Sequence, residues 1–68
     1  MMTFKNWILE FIDVNLPIGD LAKDVNFDNN FPNTSDKEVI SEYLQNQGAC
    51  KDALETFEHS WKLYSSSR

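Results

Sequence analysis

Cys50, Ala53, Leu54, Phe57, Trp61 and Tyr64 recur at offsets of 0, 3, 4, 7, 11 and 14 residues. That spacing is one face of a helix with 3.6 residues per turn. The face is wide and aromatic, so it must be covered before the chain can be stable in water. Trp61 is expected to be the largest buried side chain of this helix. Tyr64, close to the helix end, is the aromatic expected to stay partly exposed. The opposite face carries Lys51, Glu55, Glu58 and Lys62, with Glu58 and Lys62 in the favourable i, i+4 order. Ser65-Ser66-Ser67-Arg68 reads as a frayed polar end and offers that face no cover.

Three shorter segments can supply it. Thr3 can cap a helix in which Phe4, Trp7, Ile8 and Phe11 share a face, widened by Ile12. That pattern fades at Asp13-Val14-Asn15, ahead of Pro17, which suits the first turn of a new helix because its missing N–H costs nothing there. Ile18, Leu21, Ala22 and Val25 give this second helix, over about 18–28, its apolar face. Gly19 weakens it by up to about 1 kcal/mol relative to Ala, unless the glycine lets another segment approach closely. Ser35 and Glu38 have capping-box spacing for a third helix, with Asp36 in its first turn and Val39, Ile40, Tyr43 and Leu44 as its buried stripe. Gly48 stops it by accepting a left-handed conformation. No segment alternates with period two. The expected fold is all-α, a compact four- to five-helix bundle in a single domain over residues 1–68.

A chain of 68 residues buries only about 60% of its unfolded surface. Small scaffolds of this kind need disulfides, a metal, oligomerisation or heavy packing. Cys50 is the only cysteine, so no disulfide can form within one copy. Nine residues are Phe, Trp or Tyr, and at roughly 150–250 Å² of buried surface each a few of them fill a small core. Cys50 itself falls on the apolar stripe and is expected to be a small buried hydrophobe. The lone cysteine and the absence of a signal-peptide pattern imply a cytoplasmic protein. No segment approaches the roughly 20 apolar residues of a membrane span.

The net charge is −5, from 11 acidic and 6 basic residues. Lys5, Lys23, Lys37, Lys51, Lys62 and Arg68 are scattered, whereas phosphate binding draws on clustered cations. A nucleic-acid binder would need Lys23, Lys37, Lys51 and Lys62 to converge on one face. Trp7, Trp61, Tyr43 and Tyr64 could stack on bases, but they lie at core spacing with no basic residues between them.

Chemistry is sparse. Asp24, Asn26, Asp28 and Asn30 alternate like the opening ligands of a calcium loop, yet counted from Asp24 the required Gly at position 6 is Asn29 and the bidentate Glu at position 12 is Ser35. A turn accounts for more of the residues. Asp20, Asp24 and Asp28 share one exposed helix face, Asn29 and Asn30 suit a helix end, Phe31 plugs the core, and Pro32 holds Phe31 extended. His59 is the only histidine and reads as a solvated surface residue. A zinc site wants several Cys or His ligands, and no constellation meets the geometry of a catalytic site. The expectation is no catalytic residue, no cofactor and no metal.

Phe4 and Trp7, Leu21-Ala22, Asp28 with Phe31-Pro32, Ile40, Tyr43-Leu44 and the spaced Phe57, Trp61 and Tyr64 together resemble the YozE-like family of small bacterial proteins. The resemblance implies a fold similar to the sterile alpha motif and no enzymatic activity. Such domains mostly bind proteins and some bind nucleic acid, so function follows here only by analogy. The expected role is a protein–protein interaction module with a protein partner or a second copy, the alternative being a small nucleic-acid-binding protein. Asp20, Asp24, Asp28, Asp36 and Glu38 are the expected acidic partner-binding surface.

Overall fold

The Thr3 side chain accepts a hydrogen bond from the Asn6 amide and so starts the first helix. The computed structural model describes residues 2–67. Its elements are α1 (Phe4–Ile8), continued by a 3-10 turn (Leu9–Phe11), α2 (Pro17–Phe27), α3 (Lys37–Asn46) and α4 (Lys51–Ser66), with no strand among the described residues. The all-α expectation holds with four α-helices. α4 packs against each of the other three, as its aromatic face requires. The Cα radius of gyration is 10.7 Å, against about 11 Å for a folded chain of this length.

Phe4 is at the centre of the core. It is fully buried, and its ring centroid lies 5.8 Å from that of Trp7, 5.3 Å from Phe57, 5.4 Å from Trp61 and 5.6 Å from Tyr64. The Phe57 and Tyr64 contacts are edge-to-face, at 81° and 89°, the arrangement that sets a positive ring edge against a negative ring face. Ile8 of α1, Leu21, Ala22 and Val25 of α2, Phe31 of the following loop and Ile40 of α3 complete the buried set.

Gly19 answers a question that helix propensity leaves open. A Cβ built there would lie 1.7 Å from the Val14 carbonyl oxygen, so the chain between α1 and α2 crosses the helix at a distance only glycine permits. The turn is closed by the Val14 amide donating to the Phe11 carbonyl at 2.9 Å, and the Leu16 carbonyl accepts from Gly19 and Asp20. Gly48 serves differently. Its φ is +76° and a Cβ there would meet nothing within 4 Å. The Ala49 amide donates to Leu44 and the Gly48 amide to Gln45, the paired bonds that close a helix through a left-handed residue.

Several local expectations are overturned. Ser35 does not cap α3. Asp36 does, its Oδ1 accepting from the Glu38 and Val39 amides at 3.0 and 3.4 Å. Val39 lies outside the buried stripe, 45% exposed. The Ser35 hydroxyl instead meets the Tyr64 hydroxyl at 2.9 Å. Tyr64 is 1% exposed, not the open aromatic of α4. Its hydroxyl donates to the Met2 carbonyl, and that partner is what allows a phenol to be buried. Trp61 is only half-buried, and the deepest positions of α4 are Phe57, Ser60 and Tyr64. Ser60 satisfies itself by donating to the Thr56 carbonyl at 2.7 Å. Cys50 is exposed. As the N-cap it has extended backbone (φ −71°, ψ 166°), which takes it off the helical stripe. Glu58 pairs with Lys37 of α3 at 2.7 Å and not with Lys62. Ser65 and Ser66 belong to α4, while Arg68 lies outside the described residues.

The two glycines should respond differently to alanine. Gly19→Ala forces a methyl group into backbone and should cost at least about 2–3 kcal/mol. Gly48→Ala carries only the left-handed penalty of about 1–2 kcal/mol. Urea unfolding of both variants checks the order; a Gly19→Ala protein as stable as wild type would contradict the close crossing.

Candidate functional site

The expected acidic surface divides into groups with different surroundings. Asp20 and Asp24 are exposed on α2. They line a shallow cleft of about 280 Å³ together with Asp52 of α4. Asp36 and Glu38 are exposed at the start of α3, with Asp36 engaged as the cap. Asp28 is half-buried and turned into the fold. Its Oδ1 accepts from the Asn30 amide at 3.0 Å and its Oδ2 accepts from the Tyr43 hydroxyl at 2.5 Å.

This placement explains the calcium-like stretch. α2 runs unbroken through Phe27, and on a helix residues two apart do not face each other. Asp24 and Asn26 are therefore held apart by the helix instead of wrapping a cation. Asp28 then leaves the helix with extended backbone (φ −97°, ψ 99°). Phe31 is 5% exposed and packs edge-on against Tyr43 with centroids 5.8 Å apart. Among the described residues no cluster of three or more His, Cys, Asp or Glu side chains is arranged to hold a metal ion.

A second and larger concavity joins the acidic cleft. It encloses about 570 Å³ between the Leu16–Ile18 corner and the outer face of α4. Leu16 and Leu63 line it, 62% and 52% exposed. Asp52, Glu55 and His59 stand along its α4 wall, and Pro17, Asp52 and Thr56 line both concavities. His59, the one candidate acid–base residue, is exposed there with carboxylates on its own helix and no second histidine in the chain. Spacing along the chain does not reveal this groove. Asp52, Glu55, His59 and Leu63 do recur at helical spacing on a face of α4 separate from the aromatic stripe, but that spacing leaves open what the face meets.

The arrangement of four helices around an aromatic core agrees with a family model that matches the chain over residues 3–66, described as a YozE SAM-like fold. The chain belongs to the YozE SAM-like fold family. No curated protein and no solved structure shows significant similarity to it. Within this YozE SAM-like domain the residues that carried the resemblance are largely core and turn residues: Phe4, Leu21, Ala22, Phe31, Ile40, Phe57 and Tyr64 are buried, and Asp28 ties the loop to Tyr43. No helix among the described residues is long and apolar enough to cross a membrane.

The Tyr43–Asp28 bond has a titration signature. The Tyr43 phenol is raised above its ordinary value of 10.0, first because its proton is held by Asp28, then by burial, then by the Asp28 charge. A raised folded value means that the bond stabilises the fold fully below pH 10 and loses that contribution as pH rises through the folded value. Asp28→Asn should bring the Tyr43 titration back toward 10.0, with Tyr43→Phe identifying the transition. Ultraviolet tyrosinate absorption reads it, and an unchanged Tyr43 curve in Asp28→Asn would remove Asp28 as the cause.

Proposed function

We propose that this chain is a non-catalytic protein-interaction module of the bacterial cytosol, and that its recognition face is the acidic side of the α2–α4 pair. The observation that carries the reading is the meeting of Asp20 and Asp24 with Asp52 along one cleft, with Glu55 on the adjoining wall. All four side chains are exposed. Grouped carboxylates sum their potentials, which raises the association rate of a cationic partner and selects against anionic ones. The same field opposes a phosphate backbone. Lys37, one of the lysines a nucleic-acid binder would need, is held by Glu58. Asp36 and Glu38 add negative charge at the α3 N-terminus. The exposed thiol of Cys50 suits a reducing compartment.

Affinity from these charges alone is modest, at roughly 0–1 kcal/mol for each exposed pair. It falls with salt, because the Debye length is only about 8 Å at physiological ionic strength. The test titrates isotope-labelled protein with a lysine-rich peptide at low ionic strength, and separately with mixed-sequence duplex and single-stranded DNA at physiological salt. Amide shifts around Asp20, Asp24, Asp52 and Glu55 that fade with salt are expected from the peptide. Micromolar DNA binding with a steep salt slope would replace this function with the nucleic-acid alternative.

A further inference from the structure

We infer that the groove between the Leu16–Ile18 corner and α4 seats a basic amphipathic helix from a partner protein, an assignment that rests on the interaction reading above. Two large apolar side chains on different elements, Leu16 and Leu63, are more than half exposed and face one concavity. Leu63 falls outside the aromatic stripe of α4, so the domain's own core gives it no role. A shared apolar concavity of this kind is a docking feature, unlike single exposed apolar residues scattered over a surface.

Charge complementarity selects the occupant. Every fully charged side chain lining the two joined concavities is acidic: Asp52 and Glu55 beside the leucines, Asp20 and Asp24 beyond Pro17. An incoming segment therefore gains by carrying lysine or arginine beside its apolar residues. A second copy is a poor match. A two-fold pairing through this groove would bring its acidic lining against the same acidic lining of the other copy, and no lysine lines it to answer Asp52 and Glu55.

Backbone chemistry selects the conformation. Peptides bound in extended form draw affinity from an unpaired strand edge, and the described residues contain no strand. At the groove Pro17 has no N–H to offer, and α4 bonds its backbone internally. A helix satisfies its own N–H and C=O groups, so it can enter an apolar groove without leaving them unpaired. The expected anchors are apolar residues spaced i, i+3 or i+4 and i+7, with basic residues flanking them.

The probe is a fluorescein-labelled synthetic helix with leucines at that spacing and lysines on both flanks. Its control has the same composition with the leucines scattered. Anisotropy at physiological salt should show the ordered peptide binding at least about 10-fold more tightly, the scale of one apolar anchor. Leu16→Ser and Leu63→Ser should each weaken it by about 10-fold while leaving the melt of the protein unchanged. Leu16 is the N-cap of α2, where serine is a favoured residue, so loss of binding in that variant does not come from loss of the helix. Glu55→Lys should weaken binding and flatten its salt dependence. Equal binding of the two peptides would overturn the groove while leaving a charge-driven interaction module in place. Ordered-peptide binding that ignores both serine variants would overturn it as well. A dimer in sedimentation equilibrium that Leu63→Ser dissolves would replace the partner helix with a second copy.

Discussion

The rest of the fold depends on the ring of Phe4. It comes from a helix of five residues, too short to persist in water by itself, and it is the point at which that helix meets α4. Phe57 and Tyr64 present edge-to-face contacts to it, and Trp7 and Trp61 close around them. With one cysteine and no second covalent staple available, aromatic burial is what holds a domain of this size together. Phe4→Ala would remove the shared member of four ring contacts at once, whereas Trp61 stands at the edge of the cluster, half-exposed.

Hydrogen bonds between distant residues then tie the loops to this core. Tyr64 reaches the Met2 carbonyl and the Ser35 hydroxyl, joining α4 to the N-terminal segment and to the approach to α3. Thr3 donates to Asn33, and the Phe4 amide donates to the Thr34 carbonyl. Tyr43 and Asp28 do the same for the loop that inserts Phe31. These polar groups are carried into the protein because each has a partner, and no buried side-chain polar atom among the described residues lacks one. Asp28, one of the two carboxylates of the calcium-like stretch, thus ties a loop to α3.

The close crossing at Gly19 also shapes the outer surface. It holds the 11–16 turn against α2 and sets the Leu16 corner opposite α4, leaving the groove between them. The acidic cleft and the groove are therefore consequences of the same packing of α2 on α4. Membership of the YozE SAM-like fold family accounts for the bundle. The proposed interaction rests on this chain's own exposed leucines and carboxylates.

Apolar periodicity by itself determined four helices, their order and most of the core, because each helix must bury one stripe and the stripes are written at 3.6-residue spacing. Pro17 and Gly48 mark an element start and stop through local backbone rules that need no partner. The ends of the other elements were harder to read. Ser35 and Asp36 are both competent caps, and the choice fell to Asp36 because the Ser35 hydroxyl faces Tyr64, a residue 29 positions away. Cys50 lay on the right stripe but at the one position where the backbone is no longer helical. Glu58 found Lys37 across α3 and α4 in place of the lysine on its own helix. The groove was decided only by tertiary structure. Leu16, Leu63 and Asp52 lie on separate elements, and spacing within one helix says nothing about which face of another it will meet once both are packed.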